Sequence, residues 1–157
     1  MDDEAYMRRA IALGRQNPGS PIGCVIVLGG EIVGEGHNEV DGRHDPTAHA
    51  EIVAIRQACE RLKIQDLRGA VLYTTLQPCG MCSMTSIWSG ISRIVVGAGR
   101  DDVHEMYFED KHLDTMDYIR DACRNDLLIE GGILIDECAP LYYRPGDDPP
   151  TEEQANR

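Results

Sequence analysis

Apolar and polar positions alternate with different periods along this chain, and the periods mark its elements. From Asp2 to Arg15, Ala5, Met7, Ile11 and Ala12 give a partly apolar face, which predicts a first helix. Asn17-Pro18-Gly19-Ser20-Pro21 breaks it. Cys24 to Leu28 and Glu31 to Gly34 are mostly apolar and flank Gly29-Gly30, a hairpin pattern. Residues 37–47 are polar and predict a loop. From Ala48 to Leu62 the apolar positions Ile52, Ile55, Cys59 and Leu62 recur at helical spacing. Val71 to Thr75 and Ile94 to Ala98 predict short buried strands, and Cys79 to Ser89 a helix stopped by Gly90. The acidic stretch from Gly99 to Asp126 predicts helical pieces, Ile133 to Ile135 a last strand, and Ala139 to Tyr143 a short helix. The order helix, hairpin, helix, strand, helix, strand predicts three layers, with a mixed sheet between helices.

At 157 residues the chain is expected to form one domain, residues 1–145. The remaining segment, 146–157, is acidic and rich in proline and is expected to be a disordered tail. The balance of 15 basic against 27 acidic residues gives a net charge of -12, which speaks against partners that present phosphate or an anionic membrane. Met1-Asp2-Asp3-Glu4 lacks the basic, then apolar pattern of a signal peptide, and no apolar run is long enough to span a bilayer. The cytoplasm is therefore the expected compartment. The 6 cysteines should be reduced there, so metal binding or catalysis is expected before a disulfide framework.

Two short stretches carry the chemistry. "DPTAHAE" places His49 two residues before Glu51, at the start of the predicted helix, with the Thr47 hydroxyl as its expected cap. "QPCGMC" places Cys79 and Cys82 one turn apart at the start of the next helix. A catalytic zinc takes three protein nitrogen and sulfur ligands and keeps a fourth position open, which His49, Cys79 and Cys82 can satisfy. Pro78 suits a helix start, and the helix N-terminus favours thiolates. Glu51 can then reach the open position without ligating, and a carboxylate there can move a proton. A lone Cys-x-x-Cys also suits a redox pair or a structural zinc. No second pair completes a structural site, however, and the order of elements is not thioredoxin-like.

On these residues the chain resembles the cytidine-deaminase-like superfamily, whose zinc-dependent members carry His-x-Glu followed by Pro-Cys-x-x-Cys. The likeness runs over about residues 5–143, densest in "PIGCVIV", "GEGHN", "GRHDPTAHAEIVAIRQ", "LYTTLQPCGMC" and "GILIDECAPL". The branch is that of guanine deaminase, fungal-type cytosine deaminase and bacterial tRNA adenosine deaminase. The resemblance implies a three-layer α/β/α sandwich with a central five-stranded sheet, and one zinc per subunit on His49, Cys79 and Cys82. It also implies Glu51 as proton shuttle, Asn38 and the backbone of Ala50 as substrate contacts, and a homodimer. The implied reaction replaces an exocyclic amine of a nucleobase or nucleoside by oxygen and releases ammonia.

The implied substrate divides three ways. "GRHDPTAHAEI" and "GILIDECA" are most like the tRNA enzyme, "YTTLQPCGMC" and "SGISRIVVG" like cytosine deaminase, and "YFEDKH" like guanine deaminase. In the last case Glu109 and Asp110 would enter the site; the alternative for them is a solvated charged face. The acidic tail and Gln77, where the tRNA enzyme has Glu, favour a free base or nucleoside. The alternative is a tRNA wobble adenosine deaminase. Trp88 is expected in the core or as a wall of the pocket, and His37, His44, His104 and His112 are expected to hydrogen-bond or face solvent.

Overall fold

The computed structural model describes residues 2–108, 114–121 and 125–150. Helix α1 (Asp3–Gly14) is capped by Asp2, whose carboxylate accepts from Ala5 N at 3.1 Å. Strands β1 (Gly23–Leu28) and β2 (Glu31–His37) form the expected hairpin. Gly29 and Gly30 turn it with φ of +62° and +87°, the left-handed pair that a two-residue hairpin turn needs. A helical turn, α2 (Val40–Arg43), follows within the stretch expected to be loop. Helix α3 (Ala50–Leu62), strand β3 (Val71–Leu76), helix α4 (Gly80–Trp88) and strand β4 (Arg93–Ala98) come next in the predicted order. Among the described residues, a 3-10 turn at Glu105–Tyr107 and helix α5 (Thr115–Asp121) are the helical pieces of the acidic stretch.

The last strand is not where the apolar pattern puts it. Strand β5 is Leu128–Glu130, and Ile135–Cys138 is helix α6, followed by a 3-10 turn at Ala139–Leu141. Gly132 and Leu134 both have positive φ, which turns the chain out of the sheet between them. Ile133 N still donates to the Val96 carbonyl of β4 at 3.2 Å. Leu128–Glu130 pairs with β4 instead, although only Ile129 of the three is buried.

The sheet order is β2-β1-β3-β4-β5, antiparallel on the β2-β1-β3 side and parallel on the β3-β4-β5 side. Side chains alternate across it. Cys24, Ile26, Leu72, Ile94 and Val96 face one core layer with Ala54 and Ala58 of α3. Val25, Val27, Val71, Tyr73 and Val95 face the other, with Met7, Ala10 and Ile11 of α1 and Cys138 of α6. The expected three-layer α/β/α sandwich with a five-stranded mixed sheet is therefore present. Among the described residues, no helix is long and apolar enough to cross a membrane.

Packing is tightest where α3 crosses β2. A Cβ on Gly36 would lie 2.4 Å from the Ala50 carbonyl oxygen and 2.8 Å from Ala54 N, and one on Gly34 would lie 2.2 Å from the Ala54 carbonyl oxygen. Those neighbours are helix backbone and cannot swing aside. Gly36→Ala is expected to destabilise the fold by about 3 kcal/mol or more, the upper range for overpacking. Gly42→Ala, with nothing within 4 Å of its Cβ, should change stability by no more than about 0.5 kcal/mol. Urea unfolding of the two variants side by side checks the pair. On the outer side of β2, the edge of the sheet, Glu35 N donates to Gln57 Oε1 at 2.7 Å and Arg61 donates to the Ile32 carbonyl at 2.9 Å.

Across the sheet, Arg93 donates to both Asp3 oxygens at 3.0 and 2.7 Å, and Tyr73 donates to Asp3 at 2.7 Å. These donors hold the Asp3 carboxyl below the usual range, Arg93 most of all. They fasten the start of α1 to β3 and β4.

Candidate metal and active site

Two helix starts meet at one end of the sheet. The first is built by Asp45, whose Oδ1 accepts from Thr47 N at 2.8 Å and from the Thr47 hydroxyl at 2.7 Å. The hydroxyl expected to cap α3 is thus bonded to Asp45 instead. The N-cap position belongs to His49, in extended backbone and with no side-chain cap bond. Its imidazole is turned toward the second helix start. There Cys79 is the N-cap of α4, also with extended backbone, and Cys82 lies in the first turn.

The donor atoms of His49, Cys79 and Cys82 lie within 4.8 Å of one another. Both sulfurs stand 3.6 Å from His49 Nδ1. A tetrahedral zinc with Zn–S of about 2.3 Å and Zn–N of about 2.05 Å would set sulfur and nitrogen about 3.6 Å apart, so the spacing fits the ion. Two thiolates with one imidazole are also the donor chemistry zinc favours. Hydrogen bonds from Cys82 and His49 hold the Cys79 thiol down at about 4. Donation to Cys79, burial and the nearby Glu51 push the Cys82 thiol up.

Glu51, in the first turn of α3, is only 3% exposed. Burial raises its carboxyl above the usual range, and the charge on Cys79 raises it further. Its Oε1 lies 3.3 Å from the Thr74 hydroxyl. Asn38, just past the end of β2, is 4% exposed, and its Oδ1 accepts from Val40 N at 3.2 Å. Its amide nitrogen is buried with no hydrogen-bond partner among the described residues. A buried donor left unpaired costs stability and points to a missing partner. Ala50 is fully buried at the first position of α3, where the helix itself leaves the N–H unpaired.

Trp88 requires a correction. It is 79% exposed at the far end of α4 from Cys79, so it belongs neither to the core nor to a wall beside the ligands. The buried face of α4 is supplied by Cys82, Ser83 and Ser86, which leaves the bulky terminal residue outside. Glu109, Asp110 and His112 lie outside the described residues. His37 sits 3.9 Å from a Glu39 oxygen and His104 accepts from Met106 N, so neither joins the ligand cluster.

Gln77 carries more than its place before Pro78 suggests. Its amide nitrogen donates to Asp114 at 3.2 Å and to Thr115 at 3.0 Å, and its oxygen accepts from Arg100 N at 3.1 Å. Thr115 in turn donates to the Pro78 carbonyl at 2.6 Å. The amide therefore ties the residue before Pro78 to the start of α5 and to the loop after β4. Gln77→Glu would set a second carboxylate against Asp114. The expected cost is about 1–3 kcal/mol, that of leaving a buried polar group wrongly paired, read as a lowered thermal midpoint. A sequence signal for Gln77 and Thr74 does exist: both are polar residues that follow the apolar run opening β3.

Comparison with known proteins agrees with this geometry. Residues 1–98 match the cytidine and deoxycytidylate deaminase zinc-binding region, and the chain belongs to that family. It is accordingly a zinc-binding hydrolytic deaminase, with His49, Cys79 and Cys82 positioned to hold the metal. It is 38% identical over 117 residues to a guanine deaminase of Bacillus subtilis, covering 72% of this chain and 75% of the relative. It is also 38% identical over 126 residues to a tRNA-specific adenosine deaminase of Buchnera aphidicola, covering 80% of each. A solved guanine deaminase from Nitrosomonas europaea superposes with a TM-score of 0.76 at 27% identity, covering 88% of this chain and 81% of the other.

Proposed function

We propose that the chain deaminates a free aminated nucleobase, guanine-like or cytosine-like, or its nucleoside. The charge around the site carries this reading. On the segments that hold Asn38 and His49, Arg43 is paired with Glu39 and Arg56 with Asp45, the latter at 3.3 Å. Those cations are already neutralised, and the chain carries a net charge of -12. A polynucleotide needs unneutralised cations along its backbone, whereas a neutral base does not.

His49, Cys79 and Cys82 would hold the zinc, which when bound would bring the pKa of a water toward neutrality. Glu51 would move two protons in turn, both supplied by the water: the first to the ring nitrogen, the second to the amine, which leaves as ammonia. The Asn38 amide nitrogen and the Ala50 N–H donate to the base and set its orientation. The ring carbon gains one oxygen and loses one amine, and the product is the keto base. Burial suits Glu51 to this task, because a carboxyl shifted upward holds and returns a proton readily.

The similarity to tRNA adenosine deaminases supports a second reading, inosine formation at a tRNA wobble position. Ammonia release by zinc-loaded protein separates the two. The panel is guanine, cytosine, isocytosine, adenine, their nucleosides and a tRNA anticodon stem-loop. Turnover of a base or nucleoside is expected; turnover of the stem-loop alone would overturn the first reading. A homodimer working in the cytoplasm is part of the same proposal, and light scattering on the eluted protein tests the dimer.

A further inference from the structure

Beneath Glu51 lies a hydroxyl that its reaction, as set out above, does not use. Thr74 is fully buried on β3, the central strand of the sheet. It is in register with Cys24 of β1 on one side and Val96 of β4 on the other. With a ladder on both sides its backbone is fixed, and so is the origin of its side chain. A strand buried on both faces is normally a run of aliphatic residues, and a hydroxyl there has to find partners. Thr74 Oγ1 finds two, the Leu76 carbonyl at 3.0 Å and Glu51 Oε1 at 3.3 Å.

A hydroxyl carries one hydrogen and two lone pairs, and the hydrogen rotates to suit. Turned toward Glu51, it donates to the carboxylate. Turned toward the Leu76 carbonyl, it leaves a lone pair for a carboxyl that carries a proton. One side chain can therefore bond Glu51 before and after a proton arrives, with no movement of heavy atoms. The ladders on both sides of β3 hold the oxygen in place in either setting. The other polar side chains of this strand end are engaged elsewhere: Thr75 accepts from Gly23 N at 3.0 Å and bonds Tyr142 at 2.7 Å, while Gln77 holds α5.

We propose that Thr74 is a positioning residue for Glu51, its two-way hydroxyl holding the carboxyl in one orientation throughout the transfer. The inference rests on Glu51 as the proton carrier. The test uses the zinc-loaded full chain and the base or nucleoside turned over fastest in the panel above. Thr74→Val keeps the shape and removes the hydroxyl; kcat should fall by about tenfold to a hundredfold, the range for losing a group that orients an active-site residue. KM and zinc content should stay as in the wild type, and Thr74→Ser should restore most of kcat. In crystals of zinc-loaded Thr74→Val, the Glu51 carboxylate should be turned from its wild-type orientation. A wild-type kcat in Thr74→Val, a serine variant as slow as the valine one, or an unmoved carboxylate overturns the inference. If the valine variant does not fold, Thr74→Ala against Thr74→Ser carries the same comparison. Glu51→Gln separates the two claims. An active Glu51→Gln removes the reading of Glu51 and this inference together; an inactive one beside a fully active Thr74→Val removes this inference alone.

Discussion

Glu51→Gln is expected to lose at least about a hundredfold in turnover while keeping its zinc, since a positioned acid or base contributes about 10²–10⁴-fold. The amide has nearly the volume and shape of the carboxyl, so the pocket is preserved. What disappears is the capacity to take up and return a proton. Zinc content and kcat measured on one preparation check the split. The same variant should melt no lower than the wild type once chelated. In the metal-free fold, burial and the Cys79 charge raise the Glu51 carboxyl above its unfolded value. The folded state therefore binds that proton more tightly than the unfolded state does. Stability from this group is full below the unfolded pKa and declines as pH rises through the folded one. Above the folded pKa the ionised carboxyl is thus a cost to the fold, and the uncharged amide removes it. Activity lost with stability kept or gained is the mark of a residue placed for chemistry.

The second large effect is on metal. Cys82→Ser should lower zinc affinity by more than about a hundredfold, because losing only a group that orients a ligand already costs about 10–100-fold. A serine hydroxyl does not ionise near neutral pH, and this one would sit fully buried beside Glu51. Cys79→Ser should behave similarly, since it removes the other sulfur of the donor set. Metal analysis after gel filtration reads both. Zinc retained at one per chain in either variant would show that a different donor set holds it.

These outcomes depend on residues that the sequence identified by kind and spacing. His49 with Glu51, and Cys79 with Cys82, each lie within one helical turn, and local geometry alone brings each pair together. The strands β1, β3 and β4 are legible too, because each is a largely apolar run buried on both faces of the sheet. What local pattern could not give is where polar residues find distant partners. Thr47 reads as a cap, yet Asp45 reaches its hydroxyl first. Ile133 to Ile135 reads as a strand, but the turn at Gly132 and Leu134 bends it out of the sheet. Trp88 reads as core by its size, yet it stands 79% exposed, off the face of α4 that Cys82, Ser83 and Ser86 bury. Gln77 and Thr74 form their bonds to residues 38 and 23 positions away, separations at which periodicity carries no information.

The outer margin of the sheet has a consequence of its own. An edge strand offers unpaired amides and carbonyls on which another chain can add as an extra strand. On β2 that template is blocked at Ile32 and Glu35 by Arg61 and Gln57, both reaching down from α3. Strand addition at these two positions, and the growth of one sheet into the next that begins many fibrils, would first have to displace both side chains.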